Sequence, residues 1–120
     1  MKYLIFLDDE RNIEDVTWLT YPKYDDVFVV RRMCDFIFVV IHLDNFADYD
    51  FSFDHDIQDF SGAYGQEQTG YDCAKWLCDY VLESNIDPQL INFIVHSQNP
   101  IGKQNIESYI NNFKEFMKNG

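Results

Sequence analysis

The sequence predicts an α/β fold in which a mostly parallel, four-stranded sheet in the order 2-1-3-4 is covered on both faces. Two observations lead to this prediction. Apolar runs of strand length alternate with segments of helical periodicity along the 120 residues, and several of these runs end abruptly in polar residues. Right-handed crossovers between parallel strands then set the order and open a crevice at the carboxyl ends of strands one and three.

Four segments are predicted to be strands. Residues 2–7 form a continuous apolar run, which is typical of a buried parallel strand. Residues 27–31 form a second short apolar run, and residues 50–53 alternate polar and aromatic side chains. Residues 90–95 complete the set, and no fifth strand is recognisable after them.

Three helices and two loops accompany these strands. Helices are predicted at residues 33–42, 71–83 and 103–117, where apolar residues recur at helical spacing or dominate the segment. Residues 12–23 lack a strong period and are predicted to be a loop with at most one short helix. Residues 58–70 are rich in Gly, Ser and Gln, and a loop of that length suits a flap over a functional site.

The charge balance excludes some classes of partner. Nine Lys and Arg residues stand against 21 Asp and Glu, which gives a net charge of −12. Sequence-independent binding to nucleic acid or to an anionic membrane needs clustered cations, so neither is expected. The amino terminus turns acidic too soon for a signal peptide, and we expect one cytoplasmic domain over residues 1–120. The sequence leaves the oligomeric state open.

The cysteines do not predict a site. Cys34, Cys73 and Cys78 form no CxxC pair, and their odd number suits a reducing compartment better than a disulfide framework. We interpret all three as small hydrophobic residues in or near the core rather than as zinc ligands or nucleophiles.

Polar clusters at the carboxyl ends of three strands carry the chemical prediction. They are Asp8-Asp9, Asp54-His55-Asp56 and His96-Ser97. Two carboxylates 4 Å apart repel by about 4 kcal/mol at an effective dielectric constant of 20, so the convergence of Asp8, Asp9 and Asp54 requires a cation or a proton. Carboxylate oxygens favour Mg²⁺, and neighbouring histidines also allow Mn²⁺. The sequence therefore predicts a site for Mg²⁺ or Mn²⁺ and a phosphate-containing ligand.

This arrangement resembles the receiver domain of response regulators. Asp54 matches the phosphoacceptor position, and His96 or Ser97 takes the place of the usual Thr or Ser after strand four. Asp56 lies two residues beyond Asp54, where receivers offer a backbone carbonyl to the metal, so the resemblance adds Asp56 to the predicted metal site. The receiver lysine on a fifth strand is not found after Val95, which disfavours a phosphorelay switch.

The closer resemblance is to the cyclic-phosphate processing receiver domain, a divergent branch of that fold. It rests on LDDER at residues 7–11, DHD at 54–56, TGYD at 69–72 and HSQNPIG at 96–102, with a tryptophan at 76. The resemblance implies a receiver-like, flavodoxin-like three-layer sandwich with the fifth strand missing or degenerate. It also implies metal-dependent processing of a cyclic phosphate.

A catalytic hypothesis follows. Asp8, Asp9 and Asp54 would hold a cation that polarises the phosphoryl group and activates a water. His55 and His96 would exchange protons with the water and the leaving sugar oxygen.

Further residues are predicted to bind the substrate. Arg11 could make a bidentate phosphate contact, and Ser97 and Asn99 could donate hydrogen bonds to phosphate or sugar. The amides of Gly102 and Lys103, near the start of the last helix, offer another anion site.

Several alternatives stay open at this level. Asp54 could itself attack phosphorus and form an aspartyl-phosphate, as in a phosphoacceptor receiver domain. A binding module could instead sequester a cyclic nucleotide or a protein partner without turnover. The substrate could be a nucleotide 2′,3′-cyclic phosphate, an RNA end, an ADP-ribose cyclic phosphate or a cyclic nucleotide signal.

Overall fold

A computed structural model describes residues 1–119 and contains one four-stranded sheet, in the order β2-β1-β3-β4. Its strands are β1 (Tyr3–Leu7), β2 (Asp26–Val30), β3 (Tyr49–Phe53) and β4 (Asn92–Val95). Every neighbouring pair is parallel. The α/β fold class and the strand order are therefore confirmed.

Three helices accompany the sheet, namely α1 (Met33–Ile41), α2 (Gly70–Glu83) and α3 (Pro100–Asn119). The last helix begins three residues earlier than predicted, because the amide of Lys103 already donates to the carbonyl of Asn99 at 2.8 Å. Within residues 1–119, no helix combines the length and apolar character needed to cross a membrane.

The two faces of the sheet are covered differently. Alternate strand residues such as Ile5 and Phe51 pack in one large cluster to which all three helices contribute. Leu4 and Phe6 point to the opposite face, where they pack with Val16 and with other side chains of residues 13–27. The third layer is thus made of the irregular segment between β1 and β2, in line with the loop predicted there.

The cysteine prediction is correct for two residues and wrong for one. Cys73 and Cys78 are buried on α2, whereas Cys34 is exposed in the first turn of α1. The buried residues of α1 are Phe36 and Val40, four positions apart, and Cys34 lies off that stripe.

The loop after β3 is tied to the fold at its base. Asp59 is buried, and its carboxylate accepts hydrogen bonds from the Met33 amide at 2.9 Å and from the Ser61 hydroxyl at 2.6 Å. Asp59 also forms an isolated antiparallel bridge with Gln68. The predicted flap therefore has a fixed base beside the start of α1.

A close backbone contact sets where α2 begins. The amide of Gly70 donates to the carbonyl of His55 at 2.7 Å, and a Cβ at Gly70 would overlap the carbonyl oxygen of Asp54. The preceding residue, Thr69, forms a capping box with Asp72. The helix start is thereby held directly against the end of β3.

We predict that Gly70→Ala lowers the free energy of unfolding by about 2 kcal/mol or more, because the added methyl group meets backbone that cannot move independently. Urea denaturation would measure the change. Gly65→Asn is the control, since Gly65 has a φ of 73°, which asparagine tolerates, and a Cβ added there would meet no other atom within 4 Å. A change below about 0.5 kcal/mol in Gly70→Ala would contradict the close approach.

Candidate functional site

A polar pocket opens at the carboxyl ends of β1, β3 and β4. Its lining residues are Asp8, Asp9, Glu10, Arg11, Asp54, Asp56, Gln58, Ser97, Gln98 and Asn99. Parallel strands bring their carboxyl ends to one edge of the sheet, so residues distant in sequence meet here. The pocket therefore unites Asp8, Asp9, Arg11, Asp54, Asp56, Ser97 and Asn99 of the predicted site.

Asp8 is fully buried at the end of β1 and is surrounded by donors. Its Oδ1 accepts hydrogen bonds from the amides of Glu10 at 2.9 Å and Arg11 at 2.8 Å, and its Oδ2 accepts one from His96 Nε2 at 3.0 Å. Burial alone would raise the pKa of this carboxyl, but these hydrogen bonds outweigh burial and lower the pKa to about 2. Asp8 is thus held as an anion.

The pKa of Asp54 is shifted in the opposite direction to that of Asp8. It is 5% exposed at the end of β3, and burial, together with the negative charge of Asp8, raises the pKa of its carboxyl. Burial also raises the pKa of Asp9, and the negative charges of Glu10 and Asp8 raise it further. The pocket therefore contains negative charge that its own donors do not fully balance.

The residues fit a divalent cation. Asp8, Asp54 and His96 each offer one ligand atom, and these atoms lie within 4.8 Å of one another at buried positions. Two carboxylates beside open space suit Mg²⁺ or Mn²⁺, whereas His96 Nε2 already donates to Asp8 and so supports that carboxylate as a ligand. Asp9 and Asp56 line the same pocket but do not belong to this three-residue cluster.

His96 lies beneath the pocket. It is fully buried, its ring stacks on Phe6 with centroids 4.4 Å apart, and its Nδ1 is 2.7 Å from the Ser52 hydroxyl. The Tyr21 hydroxyl lies 2.8 Å from the same Ser52 oxygen. A chain of hydrogen bonds therefore leads from the partly buried Tyr21 through Ser52 and His96 to Asp8, and His96 reaches the pocket through Asp8.

Sequence reasoning missed Tyr21, Ser52 and Trp18, whose Nε1 donates to the His96 carbonyl at 3.0 Å. One signal was available for Ser52, because it is a small polar residue between two phenylalanines in β3. Nothing in their own segment marked Tyr21 and Trp18.

A second network joins the ends of β3 and β4. Asp56 accepts from His55 Nδ1 at 2.9 Å through one oxygen and from Asn99 Nδ2 at 3.1 Å through the other. The hydrogen bond from His55 lowers the pKa of Asp56, although burial opposes the change. His55 packs so closely on Gly102 that a Cβ there would overlap its ring. The DHD and NPIG segments thus hold one another in place.

Two predicted substrate-binding residues lie away from the pocket. The Gly102 amide donates to Asn99 Oδ1 at 3.1 Å, and the Lys103 amide donates to the Asn99 carbonyl. Asn99 uses these bonds to cap α3. The structure therefore does not bring these two amides to the pocket.

Arg11 is the one cationic residue of the pocket lining among residues 1–119. Its guanidinium lies over the Trp18 ring, 5.2 Å from the centroid, and its Nη2 donates to Gln98 Oε1 at 3.4 Å. Its Nη1 is 3.7 Å from Asp8 Oδ2. These contacts are long, and the side chain is 36% exposed, so the guanidinium is available to a ligand.

The sheet order and the acidic pocket together define a receiver-like domain. The model of the family described as "Cyclic-phosphate processing Receiver domain" matches residues 3–112, and the chain therefore belongs to that family. A search of curated proteins and a search of solved structures gave no match. The family name associates the chain with cyclic-phosphate processing.

We predict opposite effects of two isosteric substitutions on stability in the absence of divalent cations. Asp54→Asn should raise the free energy of unfolding at pH 7 by about 1 kcal/mol, since it removes a charge that burial disfavours. Asp8→Asn should lower it by about 2 kcal/mol, because the donors around Asp8 lose their charged acceptor. Urea denaturation with a chelator measures both.

The pH dependence should separate the two residues further. The lowered pKa of Asp8 gives stability that is fully present above pH 4 and is lost as the pH falls towards about 2, and Asp8→Asn should remove this loss. The raised pKa of Asp54 gives stability at low pH that is lost as the pH rises through that pKa. Equal effects of the two substitutions at all pH values would contradict the assignment.

Proposed function

We propose that this protein is a metal-dependent phosphoesterase that opens a cyclic phosphate. The observation that carries the proposal is the pair of buried carboxylates, Asp8 and Asp54, whose ligand atoms lie with that of His96 within 4.8 Å in a pocket that also contains Arg11. Family membership supports the choice of cyclic phosphates. The candidate substrates are nucleotide 2′,3′-cyclic phosphates, including RNA ends, ADP-ribose cyclic phosphates and cyclic nucleotide signals.

Asp8 and Asp54 would hold Mg²⁺ or Mn²⁺, with Asp9 at the rim and His96 below. When bound, such an ion supplies Lewis acidity towards a phosphoryl oxygen. Asp8 is suited to this role because its lowered pKa keeps it ionised at neutral pH. The charge repulsion that raises the pKa of Asp54 would be relieved by the same ion.

Arg11 would bind the phosphate. A guanidinium can donate two parallel hydrogen bonds to phosphate oxygens, and this geometry suits a planar group resting on Trp18. The Ser97 hydroxyl accepts from the Asn99 amide at 3.1 Å and hydrogen-bonds to Asp54, so it would donate to a ligand only by giving up its bond to that carboxylate. An anionic substrate would therefore bind in this acidic pocket through two positive charges, the guanidinium of Arg11 and the bound metal ion.

The proton transfers would involve Asp56 rather than either histidine directly. Asp56 lines the pocket, its side chain is 58% exposed, and its lowered pKa keeps it ionised. It could accept a proton from the attacking water and pass it to the sugar oxygen that is released when the ring P–O bond breaks, while His55 and Asn99 hold its orientation. His55 and His96 would then act as positioning residues, for Asp56 and for Asp8 respectively.

We predict that phosphorus NMR of a panel of cyclic phosphates with Mg²⁺ or Mn²⁺ will show conversion of at least one substrate to an acyclic phosphate ester. Asp54→Asn should reduce the rate at least about 100-fold, because it removes a charge that holds the cation. Asp35→Asn makes the same charge change on the exposed start of α1 and should leave the rate unchanged.

Three results would contradict the proposal. Unchanged substrate resonances that broaden on addition of protein would favour sequestration without turnover. Conversion that persists after removal of divalent cations would exclude the metal requirement. Stoichiometric beryllofluoride binding at Asp54 without hydrolysis of any cyclic phosphate would favour a phosphoacceptor receiver, although the chain from Pro100 to Asn119 is a helix and offers no fifth strand for the receiver lysine.

We predict that Arg11→Gln raises the KM for the converted substrate about tenfold with a smaller effect on kcat, since the lost contact is made in the ground state as well. Arg11→Lys should recover only part of the affinity, because an ammonium group cannot make the planar two-point contact. Initial rates from the NMR assay give both constants. An unchanged KM in Arg11→Gln would remove Arg11 from phosphate binding.

A further inference from the structure

Strand β2 is a free edge of the sheet in the described part of the chain. The Asp8 amide donates to the Val30 carbonyl at 3.1 Å, so Val30 and Phe28 turn their backbone groups towards β1. The alternate residues Val27 and Val29 turn theirs outward. Such a row of backbone groups is a template for another strand.

This edge lacks the usual protection against pairing. Its register with β1 runs without a bulge from Asp26 to Val30, and it contains no proline and no charge at its centre. The central side chains are apolar and partly exposed, with Phe28 at 38% and Val29 at 40%. A strand that has to remain single would normally carry a lysine, a proline or a bulge there.

The adjacent helix extends the apolar surface. Phe38 and Ile41 lie one turn apart on α1 and are 63% and 46% exposed. Phe38 lines one shallow apolar groove together with Phe28 and Tyr49, and α1 packs on the face of the sheet towards which Phe28 points. The edge of β2 and the outer side of α1 therefore form one continuous patch, which we call the β2–α1 patch.

The charges that flank β2 select the orientation of a second copy. Asp26 begins the strand and Arg32 follows its end, and both side chains are exposed, Arg32 at 60%. Arg32 Nε lies 3.5 Å from Asp35 Oδ2, and Asp26 of a second copy would join or replace this exposed pair. Antiparallel pairing of two copies brings opposite charges together at both ends, whereas parallel pairing brings like charges together. The Arg31 side chain takes no part in this charge pairing, because its guanidinium donates to the carbonyls of Asp8 and Arg11.

We propose that the β2–α1 patch binds a second copy of this chain, with β2 antiparallel to the partner's β2 about a two-fold axis at Val29. In this register Asp26 faces the partner's Arg32, and the outward backbone groups of Val27 meet those of the partner's Arg31. The Val27 amide donates to the side chain of its own Asp26 at 2.8 Å in the single chain. In the dimer it donates instead to the carbonyl of the partner's Arg31, which frees Asp26 for the ion pair.

The register also places the exposed apolar residues Phe28, Phe38 and Ile41 of both copies on one side of the joined sheet, while Val29 points to the other side. A two-fold axis through Val29 is perpendicular to the sheet, so paired residues of the two copies point their side chains to the same face. The helical layers of both copies therefore lie on one face of the joined sheet. Helix α1 then approaches its counterpart across the axis and covers Phe38 and Ile41. The result is a continuous eight-stranded sheet with one buried apolar seam.

Sedimentation equilibrium of the full chain tests the proposal. We expect a reversible dimer of twice the 14.3 kDa chain mass. Asp26→Lys and Arg32→Glu should each raise the dissociation constant about tenfold or more, because every charge pair is present twice in the symmetric interface. The double variant Asp26→Lys/Arg32→Glu exchanges the two charges and should recover the dimer.

Matched controls make the outcome decisive. Glu115→Lys and Lys118→Glu change the same charges on the exposed surface of α3 and should leave the dissociation constant unchanged. Val29→Pro removes an outward amide that the sheet itself does not use, so it should abolish the dimer while circular dichroism shows a folded chain. A monomer at all concentrations, failure of the double variant to recover, or equal weakening by the α3 variants would each overturn the proposal. These outcomes do not depend on whether the pocket hydrolyses a phosphate.

Discussion

A carboxylate buried at the carboxyl end of β1 must be given hydrogen-bond donors, and much of the structure around the pocket supplies them to Asp8. The chain turns back after Asp8 so that two amides reach one oxygen, and His96 reaches the other from β4. His96 in turn requires Ser52 on the strand between them. Arg31 at the end of β2 holds the backbone carbonyl of Asp8. Residues at or beside all four strands thus meet at one charge, and their order in the sheet is what permits it.

The neighbouring carboxylates are held less favourably, and the contrast gives the pocket its chemical character. Asp54 lies at an equivalent strand end, yet burial and the charge of Asp8 raise its pKa instead of lowering it. The surrounding backbone cannot relax this repulsion, since the carbonyl of Asp54 is pressed against Gly70 and the next residue against Gly102. Rigid packing therefore keeps anionic groups close together at a cost in stability, and the proposed cation would relieve that cost.

The sequence could predict the sheet order because apolar runs and helical stripes are local signals, and it could predict which strand ends meet because parallel strands share one polar edge. It could not predict how the site residues are used. His96 and Ser97 are adjacent in sequence, yet Ser97 lines the pocket whereas His96 is fully buried beneath it. Asn99 takes the amides of Gly102 and Lys103 as its own partners, and the exposure of Cys34 depends on the exact phase of a short helix.

The irregular segment that forms the third layer has a consequence for cooperativity. A helix contributes hydrogen bonds within itself, whereas residues 12–24 are ordered largely by the apolar contacts of Leu4, Phe6 and Val16 and by the hydroxyl of Tyr21. Local opening of this layer would leave the helical face of the sheet intact but would expose Ser52 and the ring of His96 to water. Residues 12–24, which have few hydrogen bonds among themselves, thus keep water away from His96 at the floor of the pocket. We expect this segment to open before the whole domain unfolds.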